Sequence, residues 1–249
     1  MNRYGLIGFP LSHSFSEQYF ANKFLLEGIT DAVYQNFPLT DIADLKNLVA
    51  DNPNLKGLNV TIPYKEKVLP YLTVSNDVVQ SIGACNCIKI ENQNLLGYNT
   101  DAIGFEKSLL HYLEPYHSKA LILGEGGAAK AVAYVLEKLR MEYMYVVRRG
   151  PSGKGRVLFS DLTDSIIASH TLIVNSTPLG TYPNVLECPA INYGALTSRH
   201  YLYDLIYNPD KTLFLQMGEA KGAFIKNGYE MLWLQAEESW SIWMNEQVS

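Results

Sequence analysis

Hydrophobic and polar positions alternate along the chain in short runs, some with the spacing of strands and others with the spacing of helices. Residues 4–9 predict a buried strand, and residues 16–26 follow a helical pattern. Strands over 33–37 and 57–61, a helix over 41–49 and a hairpin around 85–96 continue the alternation. The first part of the chain is therefore predicted to be a sheet with covering helices.

A second pattern begins at about residue 102. A helix to residue 113 is followed by an apolar strand over 120–123, a glycine turn, a helix over 128–139 and a strand over 144–147. This order is that of a mononucleotide-binding βα unit. Apolar strands over 171–174 and 201–205 are predicted to extend the same parallel sheet, and a helical pattern from residue 229 closes the chain.

Composition and charge narrow the class of protein. The chain has 249 residues, of which 47% are hydrophobic, so it can bury the core of one or two domains. Its net charge is -5 and its basic residues are scattered, which argues against nucleic acid as the main partner. We see no leader peptide and no apolar run of membrane-spanning length, and expect a cytoplasmic protein without membrane contact. The cysteines lack disulfide spacing and the histidines are scattered, so neither a disulfide framework nor a metal site is expected.

The glycine turn is a candidate for ligand binding. Glycines let a backbone turn tightly and approach a pyrophosphate, whose charge the first amides of the following helix stabilise. Gly124, Gly126, Gly127 and Ala128 stand between the apolar strand and the helix, and are predicted to bind a dinucleotide. The alternative is a tight turn that only packs the helix on the sheet.

The end of the next strand indicates which dinucleotide binds. Enzymes that use NAD usually place an acid there to bond the ribose 2′-hydroxyl, whereas those that use NADP place arginine beside the 2′-phosphate. Arg148 and Arg149 end this strand, and no carboxylate accompanies them. NADP is therefore the predicted cofactor, the alternative being a solvated basic pair.

Two polar blocks precede the glycine turn, Asn59-Val60-Thr61-Ile62-Pro63-Tyr64-Lys65-Glu66 and Gly97-Tyr98-Asn99-Thr100-Asp101. They place a lysine and an aspartate upstream of the dinucleotide loop. Oxidation of an alcohol needs a nicotinamide beside the carbon and a proton-transferring side chain beside the oxygen. The order of the blocks therefore predicts an alcohol dehydrogenase that acts on a small polar molecule.

These blocks resemble the shikimate dehydrogenase family over nearly the whole chain. Besides the glycine turn, they are Gly8-Phe-Pro10-Leu-Ser-His13-Ser14-Phe-Ser16, Gly57-Leu-Asn59-Val60-Thr61-Ile-Pro63-Tyr-Lys65-Glu66, Gly83-Ala84-Cys-Asn86, Gly97-Tyr-Asn99-Thr100-Asp101, Asn175-Ser-Thr177-Pro178-Leu179-Gly180, Asp204-Leu-Ile-Tyr207-Asn208-Pro209 and Gly228-x-x-Met231-Leu232-x-x-Gln235. The resemblance implies an enzyme that uses NADPH to reduce 3-dehydroshikimate to shikimate, in the pathway to the aromatic amino acids.

The same resemblance assigns roles to individual residues. It makes Lys65 and Asp101 the catalytic pair, the alternative being a surface salt bridge. The residues that it implies in substrate binding are Ser14, Ser16, Asn59, Thr61, Asn86, Tyr207 and Gln235. Those that it implies around the nicotinamide and at the start of the closing helix are Asn175, Thr177, Leu179, Gly228 and Met231. Residues 14–17 also fit a helix capping box, and the block at Asn175 also fits a turn after a buried strand.

Several residues depart from the family pattern. Glu125 stands between the first two glycines of the loop, where a small residue is usual, and its charge is unfavourable near a pyrophosphate unless it points to solvent. Glu17, Phe20 and Cys87 also differ from the common residues. Arg149 replaces a common threonine, and the segment 150–161 is short. The adenosine pocket is therefore where this chain departs most from the family.

The resemblance implies an α/β fold of two domains. A substrate-binding domain of residues 1–101 and 224–249 is interrupted by a Rossmann-like NADP-binding domain of residues 102–223. The C-terminal helix returns to the first domain, and the active site is expected in the cleft that joins the domains. The expected partner is a small molecule, and the expected state a monomer or homodimer.

Other functions remain open at this point. One is a quinate/shikimate dehydrogenase that uses NAD, and another is a non-catalytic paralogue that senses a ring acid or a nucleotide. A folate-linked dehydrogenase shares the two-domain plan, but the His13-Ser14-x-Ser16 block favours a small carboxylate substrate.

Overall fold

The structure, a computed structural model, describes residues 1–11, 15–150, 153 and 155–245. Its contacts divide the chain into two compact units. The first unit is Met1–Thr100 together with the residues from Ala236 onward, and the second is Asp101–Gln235. No helix in the described ranges combines the length and the apolar character needed to cross a bilayer.

The first unit contains one mixed sheet. Its strands are β1 (Asn2–Gly8), β2 (Ala32–Pro38), β3 (Leu55–Val60), β4 (Val74–Ser75), β5 (Cys87–Glu91) and β6 (Asn94–Tyr98). Its helices are α1 (Phe15–Leu26), α2 (Leu45–Asp51) and α3 (Asp77–Ile82), with 3-10 turns at Ile42–Asp44 and Leu69–Tyr71. The strand order is β2-β1-β3-β5-β6-β4; β1 is parallel to both neighbours, and β5 and β6 form the predicted hairpin.

The second unit contains a parallel sheet. Its strands are β7 (Lys119–Leu123), β8 (Glu142–Val147), β9 (Arg156–Leu158), β10 (Leu172–Asn175), β11 (Tyr201–Asp204) and β12 (Phe224–Lys226). The helices are α4 (Thr100–Leu110), α5 (Gly127–Lys138), α6 (Asp164–Ser169), α7 (Leu213–Glu219) and α8 (Tyr229–Met244), with 3-10 turns at Phe159–Asp161 and Tyr193–Ala195. The division between the units falls next to the start of α4 and within α8.

The strand order of the second sheet is that of a dinucleotide-binding fold. The order is β12-β11-β10-β7-β8-β9, and all neighbouring strands are parallel. The chain starts at the centre with β7, moves outward to β9, and returns to build the other half from β10. The predicted α/β class with a Rossmann-like domain is confirmed. Residues 224–226, which the predicted domain boundary placed in the first domain, extend this sheet because they pair with β11.

Aromatic side chains hold the C-terminal part of α8 in the first unit. Trp243 donates a hydrogen bond from Nε1 to the carbonyl of Ile88 at 3.0 Å, and its ring stacks on Tyr4 at a centroid distance of 5.0 Å. A Cβ on Gly57 would lie 2.3 Å from the Trp243 Nε1, so β3 has a glycine where the indole packs. Trp240 belongs to the same buried cluster. The C-terminal helix therefore returns to the first unit, as predicted.

Candidate active site

The glycine turn joins β7 to α5 in a conformation that favours glycine. Gly124 has a φ of +100°, and a Cβ there would lie 3.1 Å from the Ser176 Oγ. Gly126 precedes α5, and no side chain in the described part of the chain caps this helix start. A Cβ on Gly126 would meet no described atom within 4 Å, so the space beside the turn is open. The first amides of α5 are therefore available to an anion.

A pocket opens beside this turn, where the strand order of the second sheet reverses. Ser176 follows β10 and donates to the carbonyl of Leu123, at the end of β7, from N (3.0 Å) and from Oγ (2.6 Å). The pocket has a volume of about 570 Å³ and is lined by Gly124, Glu125, Gly126, Val146, Val147, Arg148, Arg149, Phe159, Ser176, Thr177 and Pro178. Open α/β sheets bind their ligands at such a switch point.

The charged side chains of this pocket suit a phosphorylated dinucleotide. Arg148 and Arg149 follow β8, are exposed, and line the pocket. Glu125 is ion-paired with Arg156 of β9, which offsets part of the charge of the carboxylate that departs from the family pattern. The residues present therefore fit NADP, with open helix amides for the pyrophosphate and two guanidinium groups for the 2′-phosphate.

A buried hydrogen-bond network holds the loop after β10, which forms one wall of the pocket. The Oδ1 atom of Asn175 accepts hydrogen bonds from N (3.0 Å) and Oγ1 (2.7 Å) of Thr177. Thr177 Oγ1 in turn accepts from N of Leu179 at 3.3 Å. The Asn175 Nδ2 donates to Oδ1 of Asp204 at 3.0 Å. Asn175 and Asp204 are fully buried, so they support the loop from behind.

Asp204 connects this loop to two other segments. Its Oδ1 also accepts from N of Ile206 at 3.0 Å, and its Oδ2 accepts from Oγ1 of Thr212 at 2.6 Å. Thr212 is the N-cap of α7. Burial raises the pKa of Asp204 to about 6, although the donors Thr212, Ile206 and Asn175 each act to lower it. One carboxyl group therefore ties together the ends of β10 and β11 and the start of α7.

The other residues predicted at the cofactor lie in α5 and near the start of α8. Gly127 and Ala128 form the first turn of α5. Gly228 precedes α8, and a Cβ there would lie 2.2 Å from the carbonyl oxygen of Leu205, so glycine permits a close backbone approach. Met231 is buried in α8. Neither Gly228 nor Met231 is among the described residues that line the pocket.

In the first unit, Thr61 and Lys65 lie in the tight turn that follows β3. The carbonyl of Thr61 closes the turn by accepting from N of Tyr64 at 2.8 Å. Tyr64 is buried, and its hydroxyl donates to the carbonyl of Leu39 at 2.6 Å, which anchors the turn. Lys65 is half-buried, and its carbonyl accepts from N of Cys85 at 2.8 Å. The backbone therefore holds Lys65 beside the residues that lead into β5.

Asn59 and Asn86 are buried, and their amides bond to side chains of the same unit. The Asn59 Nδ2 donates to Oγ of Ser239 at 2.9 Å. The Asn86 Nδ2 donates to Oγ1 of Thr100 at 3.0 Å, and its Oδ1 accepts from N of Thr100 at 2.6 Å. Asp101 follows in the first turn of α4 and is 9% exposed. A carboxylate in the first turn of a helix is favoured by the helix dipole.

The remaining predicted substrate residues fall in both units. Ser16 lies in the first turn of α1, whereas Ser14 lies outside the described residues. Gln235 is buried in α8, and its Nε2 donates to the carbonyl of Leu232 at 2.8 Å. Tyr207 follows β11, is 39% exposed, and has its pKa raised by partial burial. In the ranges that the structure describes, no group of three or more His, Cys, Asp or Glu residues could hold a metal ion.

Comparison with known proteins identifies the family. Residues 6–88 match the family model described as the shikimate dehydrogenase substrate binding domain. The shikimate dehydrogenase (NADP(+)) of Caldicellulosiruptor bescii is 37% identical over 261 residues, covering 98% of this chain and 90% of that protein. This chain belongs to the shikimate dehydrogenase family. The resemblance predicted from the motif blocks is thereby confirmed.

Solved structures of shikimate dehydrogenases share the fold of the whole chain. A chorismate mutase/shikimate 5-dehydrogenase fusion protein from Clostridium acetobutylicum matches with a TM-score of 0.87 and 33% identity, covering 100% of this chain and 92% of that one. The shikimate 5-dehydrogenase from Thermus thermophilus, in complex with NADP(H) and shikimate, matches with a TM-score of 0.85 and 26% identity, covering 100% and 95%.

Two buried residues with several hydrogen-bond partners were not among the predicted site residues, Asp204 and Ser239. Asp204 begins the motif block that contains Tyr207. A charged residue that ends an apolar strand needs hydrogen-bond partners when it is buried. Ser239 lies four residues after Gln235, and therefore on the same face of the predicted helix. The sequence therefore shows that Asp204 and Ser239 occupy places near the site, but it does not show which residues they bond to.

Proposed function

We propose that this chain catalyses the NADPH-dependent reduction of 3-dehydroshikimate to shikimate, a step in the biosynthesis of the aromatic amino acids. The observation that carries the proposal is the pocket at the switch point, where the glycine turn meets Arg148 and Arg149. Similarity to the Caldicellulosiruptor bescii enzyme over nearly the whole chain supports the same reaction. The related Thermus thermophilus structure, which contains NADP(H) and shikimate, supports the choice of cofactor and substrate.

The reaction adds a hydride to the C3 carbonyl carbon and a proton to its oxygen, which gives the alcohol. NADPH supplies the hydride when bound and becomes NADP+. Lys65 donates the proton to the oxygen and takes it back in the reverse direction, while Asp101 orients the lysine ammonium. Lys65 belongs to a turn anchored by buried Tyr64, and Asp101 to the first turn of α4. Such fixed supports favour proton transfer because they keep the donor close to the acceptor.

Polar groups from several elements hold the substrate in this proposal. Ser14 and Ser16 bind its carboxylate, and Ser16 lies in the first turn of α1, where the helix dipole favours an anion. The residues proposed to meet the ring hydroxyls or the carboxylate are Thr61, Asn86, Tyr207 and Gln235. Asn59 is buried, and its amide bonds to the side chains of Tyr34 and Ser239 and to the carbonyl of Asn86.

The cofactor is proposed to lie along the pocket at the switch point. The pyrophosphate is held by the glycine turn and the start of α5, that is, by Gly124, Gly126, Gly127 and Ala128. Arg148 and Arg149 hold the 2′-phosphate and so select NADP over NAD. The residues proposed on the nicotinamide side are Asn175, Thr177, Leu179, Gly228 and Met231, of which Asn175 acts by orienting Thr177.

A cytoplasmic location, with the chain as a monomer or homodimer, completes the proposal. Cys85, Cys87 and Cys188 are free thiols. Free thiols suit a reducing compartment, where glutathione and thioredoxin keep them reduced.

The proposal is tested by following the absorbance of reduced nicotinamide with shikimate and NADP, then with NAD and with quinate. We expect the shikimate and NADP pair to turn over fastest. Lys65→Ala is expected to lower kcat by about a hundredfold or more with NADP binding intact, because it removes the proton donor. Lys67→Ala, at an exposed lysine two residues further on, is the matched control and retains activity.

Other outcomes separate the alternatives. Faster turnover with quinate and NAD assigns the chain to the quinate/shikimate dehydrogenases. Folded protein that binds NADP but turns over no pair refutes the proposed activity and supports the ligand-sensing paralogue.

A further inference from the structure

A continuous set of buried hydrogen bonds begins at a predicted substrate residue in the first unit. The side chain of Ser16 on α1 hydrogen-bonds to the hydroxyl of Tyr34 on β2. That hydroxyl donates to Oδ1 of Asn59 on β3 at 2.9 Å. The Asn59 Nδ2 donates to Oγ of Ser239 on α8 at 2.9 Å, and makes a longer contact of 3.4 Å with the carbonyl of Asn86.

The set continues from Ser239 to a second predicted substrate residue. The Ser239 Oγ lies 3.1 Å from Oγ1 of Thr100. The same Thr100 Oγ1 accepts from Nδ2 of Asn86 at 3.0 Å, while N of Thr100 donates to the Asn86 Oδ1 at 2.6 Å. The next residue along the chain is the proposed catalytic Asp101. The hydrogen bonds therefore connect Ser16 with Asn86 and with the residue before Asp101.

Burial makes each link of this network depend on the others. Ser239 and Thr100 are 0% exposed, Asn86 is 3%, Asn59 is 5% and Tyr34 is 6% exposed. Water therefore has little access to replace a partner that is lost, and an unpaired polar group in such a place is strongly disfavoured.

The network also fixes which way the amide of Asn59 faces. Its oxygen receives the hydroxyl proton of Tyr34, and its nitrogen faces two acceptors, Ser239 Oγ and the Asn86 carbonyl. The hydroxyls of Tyr34 and Ser239 can donate or accept, but exchange of oxygen and nitrogen would place the amide oxygen against the carbonyl oxygen of Asn86, which can only accept. Asn59 is therefore held in one orientation, with both amide protons used inside the protein.

Ser239 is the branch point of the network. Its hydroxyl contacts the side chains of Asn59 and Thr100 and also hydrogen-bonds to the thiol of Cys87. A serine hydroxyl has one proton to donate and two lone pairs to accept with, so one oxygen can serve several of these partners at once. Removal of this one oxygen leaves the Asn59 Nδ2 with its longer contact of 3.4 Å to the Asn86 carbonyl, and it takes one contact away from the Thr100 hydroxyl.

We propose that Ser239 is a positioning residue that holds the substrate-binding side of the first unit in place, and that Asn59 belongs to this support rather than to the set of direct substrate contacts. Ser239 acts on Asn86 through Thr100, and on Ser16 through Asn59 and Tyr34. The inference rests on the proposed shikimate dehydrogenase activity and deepens it, because it names residues that set shikimate affinity without touching shikimate.

Ser239→Ala tests the proposal through the two Michaelis constants. We expect the KM and the Kd for shikimate to rise by about five- to tenfold, the effect of one lost hydrogen bond. The KM for NADP is expected to stay within about twofold, because the residues that form the network all belong to the first unit: Ser16, Tyr34, Asn59, Asn86, Thr100 and Ser239. A rise in both Michaelis constants by the same factor would overturn the proposal, since it would indicate general loosening.

Ser108→Ala is the matched control for the loss of a buried hydroxyl. Ser108 is 0% exposed, and its Oγ bonds to the hydroxyl of Tyr203 at 2.5 Å in the second unit. This variant is expected to lower the Tm while the KM for shikimate stays unchanged. Equal effects of Ser108→Ala and Ser239→Ala on shikimate affinity would mean that Ser239 has only a structural role.

Tyr34→Phe interrupts the network at a second place. It removes the hydroxyl between Ser16 and Asn59 but keeps the ring, which stacks on Phe20 at 4.5 Å. Combined with Ser239→Ala, it should raise the KM for shikimate by less than the product of the two single effects, because both cuts release the same Asn59. If the double variant raises the KM for shikimate by the full product of the two single factors, the two residues do not act through a shared network.

The outcomes also separate this proposal from the proposed activity. If Ser239→Ala does not fold, Tyr34→Phe decides alone: an unchanged shikimate KM overturns the proposal, and a selective rise supports it. If both variants turn over shikimate with the affinity of the wild-type protein, the positioning role is rejected and the proposed activity stands. Absence of wild-type turnover rejects the activity, and the positioning role falls with it.

Discussion

Replacement of Asp204 by asparagine is predicted to remove a pH dependence from the stability of the protein. Asp204 is fully buried, and its carboxyl accepts hydrogen bonds from Asn175, Ile206 and Thr212. Burial raises its pKa from 3.8 to about 6, since the ionised form is disfavoured away from water. Asparagine has nearly the same shape, and its oxygen can still accept from Asn175 and Ile206 while its amide turns toward Thr212.

The sign of the effect follows from comparison of the folded and unfolded states. Between the unfolded pKa of 3.8 and the folded pKa of about 6, the folded carboxyl holds a proton that the unfolded chain has released. The stability from this group is fully present below the lower value and is lost as the pH rises through the higher one. The interval from 3.8 to about 6 corresponds to about 3 kcal/mol, at about 1.4 kcal/mol per pKa unit.

Urea denaturation of the wild type and Asp204→Asn, measured from about pH 4 to about pH 7, tests this reasoning. We expect the free energy of unfolding of the wild type to fall relative to that of the variant by up to about 3 kcal/mol over this interval. The other ionisable groups are common to both proteins and cancel in the difference. Asp161→Asn, at an exposed aspartate of the same unit, is the control for the loss of a carboxylate outside the core. Parallel stability curves for the wild type and Asp204→Asn would refute the argument.

Three further predictions concern the second unit. Arg148→Ala and Arg149→Ala should each weaken NADP binding by about ten- to hundredfold and NAD binding little, because one charge-assisted contact to the 2′-phosphate is lost. Fluorescence titration measures the Kd of both dinucleotides, and an equal loss of affinity for NADP and NAD would contradict the role of the arginines. Glu125→Gln should tighten NADP binding by about two- to fivefold at low salt, since it removes a negative charge and frees Arg156; an unchanged Kd would mean that the ion pair already cancels the charge. Gly228→Ala should lower the free energy of unfolding by about 1–3 kcal/mol through overpacking against a backbone carbonyl, and calorimetry that shows full wild-type stability would disprove the close approach.

The parts of the fold that the sequence predicts are those with a long local signal. The apolar runs of β7 and β10 are buried on both faces, and their composition alone indicates parallel strands. In contrast, β9 and β12 have only three residues each, too few for a periodic pattern. They become strands because they pair with β8 and β11, and that pairing depends on tertiary contacts. For the same reason, the short helices α6 and α7 were not predicted.

The candidate site also has parts that the sequence predicts and parts that it does not. The glycine turn and the arginine pair are each contiguous in sequence, and βα topology brings their two strand ends together, so a pocket with both was predictable. The charge of Glu125 was predicted to be a difficulty, but its partner Arg156 lies on a strand that had no signal of its own. Sequence blocks thus locate the residues near a ligand, whereas the partners that compensate their charges come from distant segments.

Asp204 and Ser239 show that distant segments also supply the partners that orient asparagine side chains. Each is a fully buried polar residue, and each accepts a hydrogen bond from the Nδ2 atom of an asparagine, Asn175 in the second unit and Asn59 in the first. An amide presents a donor at one end and an acceptor at the other, so a motif that specifies asparagine does not specify which way the amide is turned. The buried partner decides that, and it lies 29 residues from Asn175 in one case and 180 residues from Asn59 in the other. The chemistry of the site is therefore encoded partly outside the blocks that identify it.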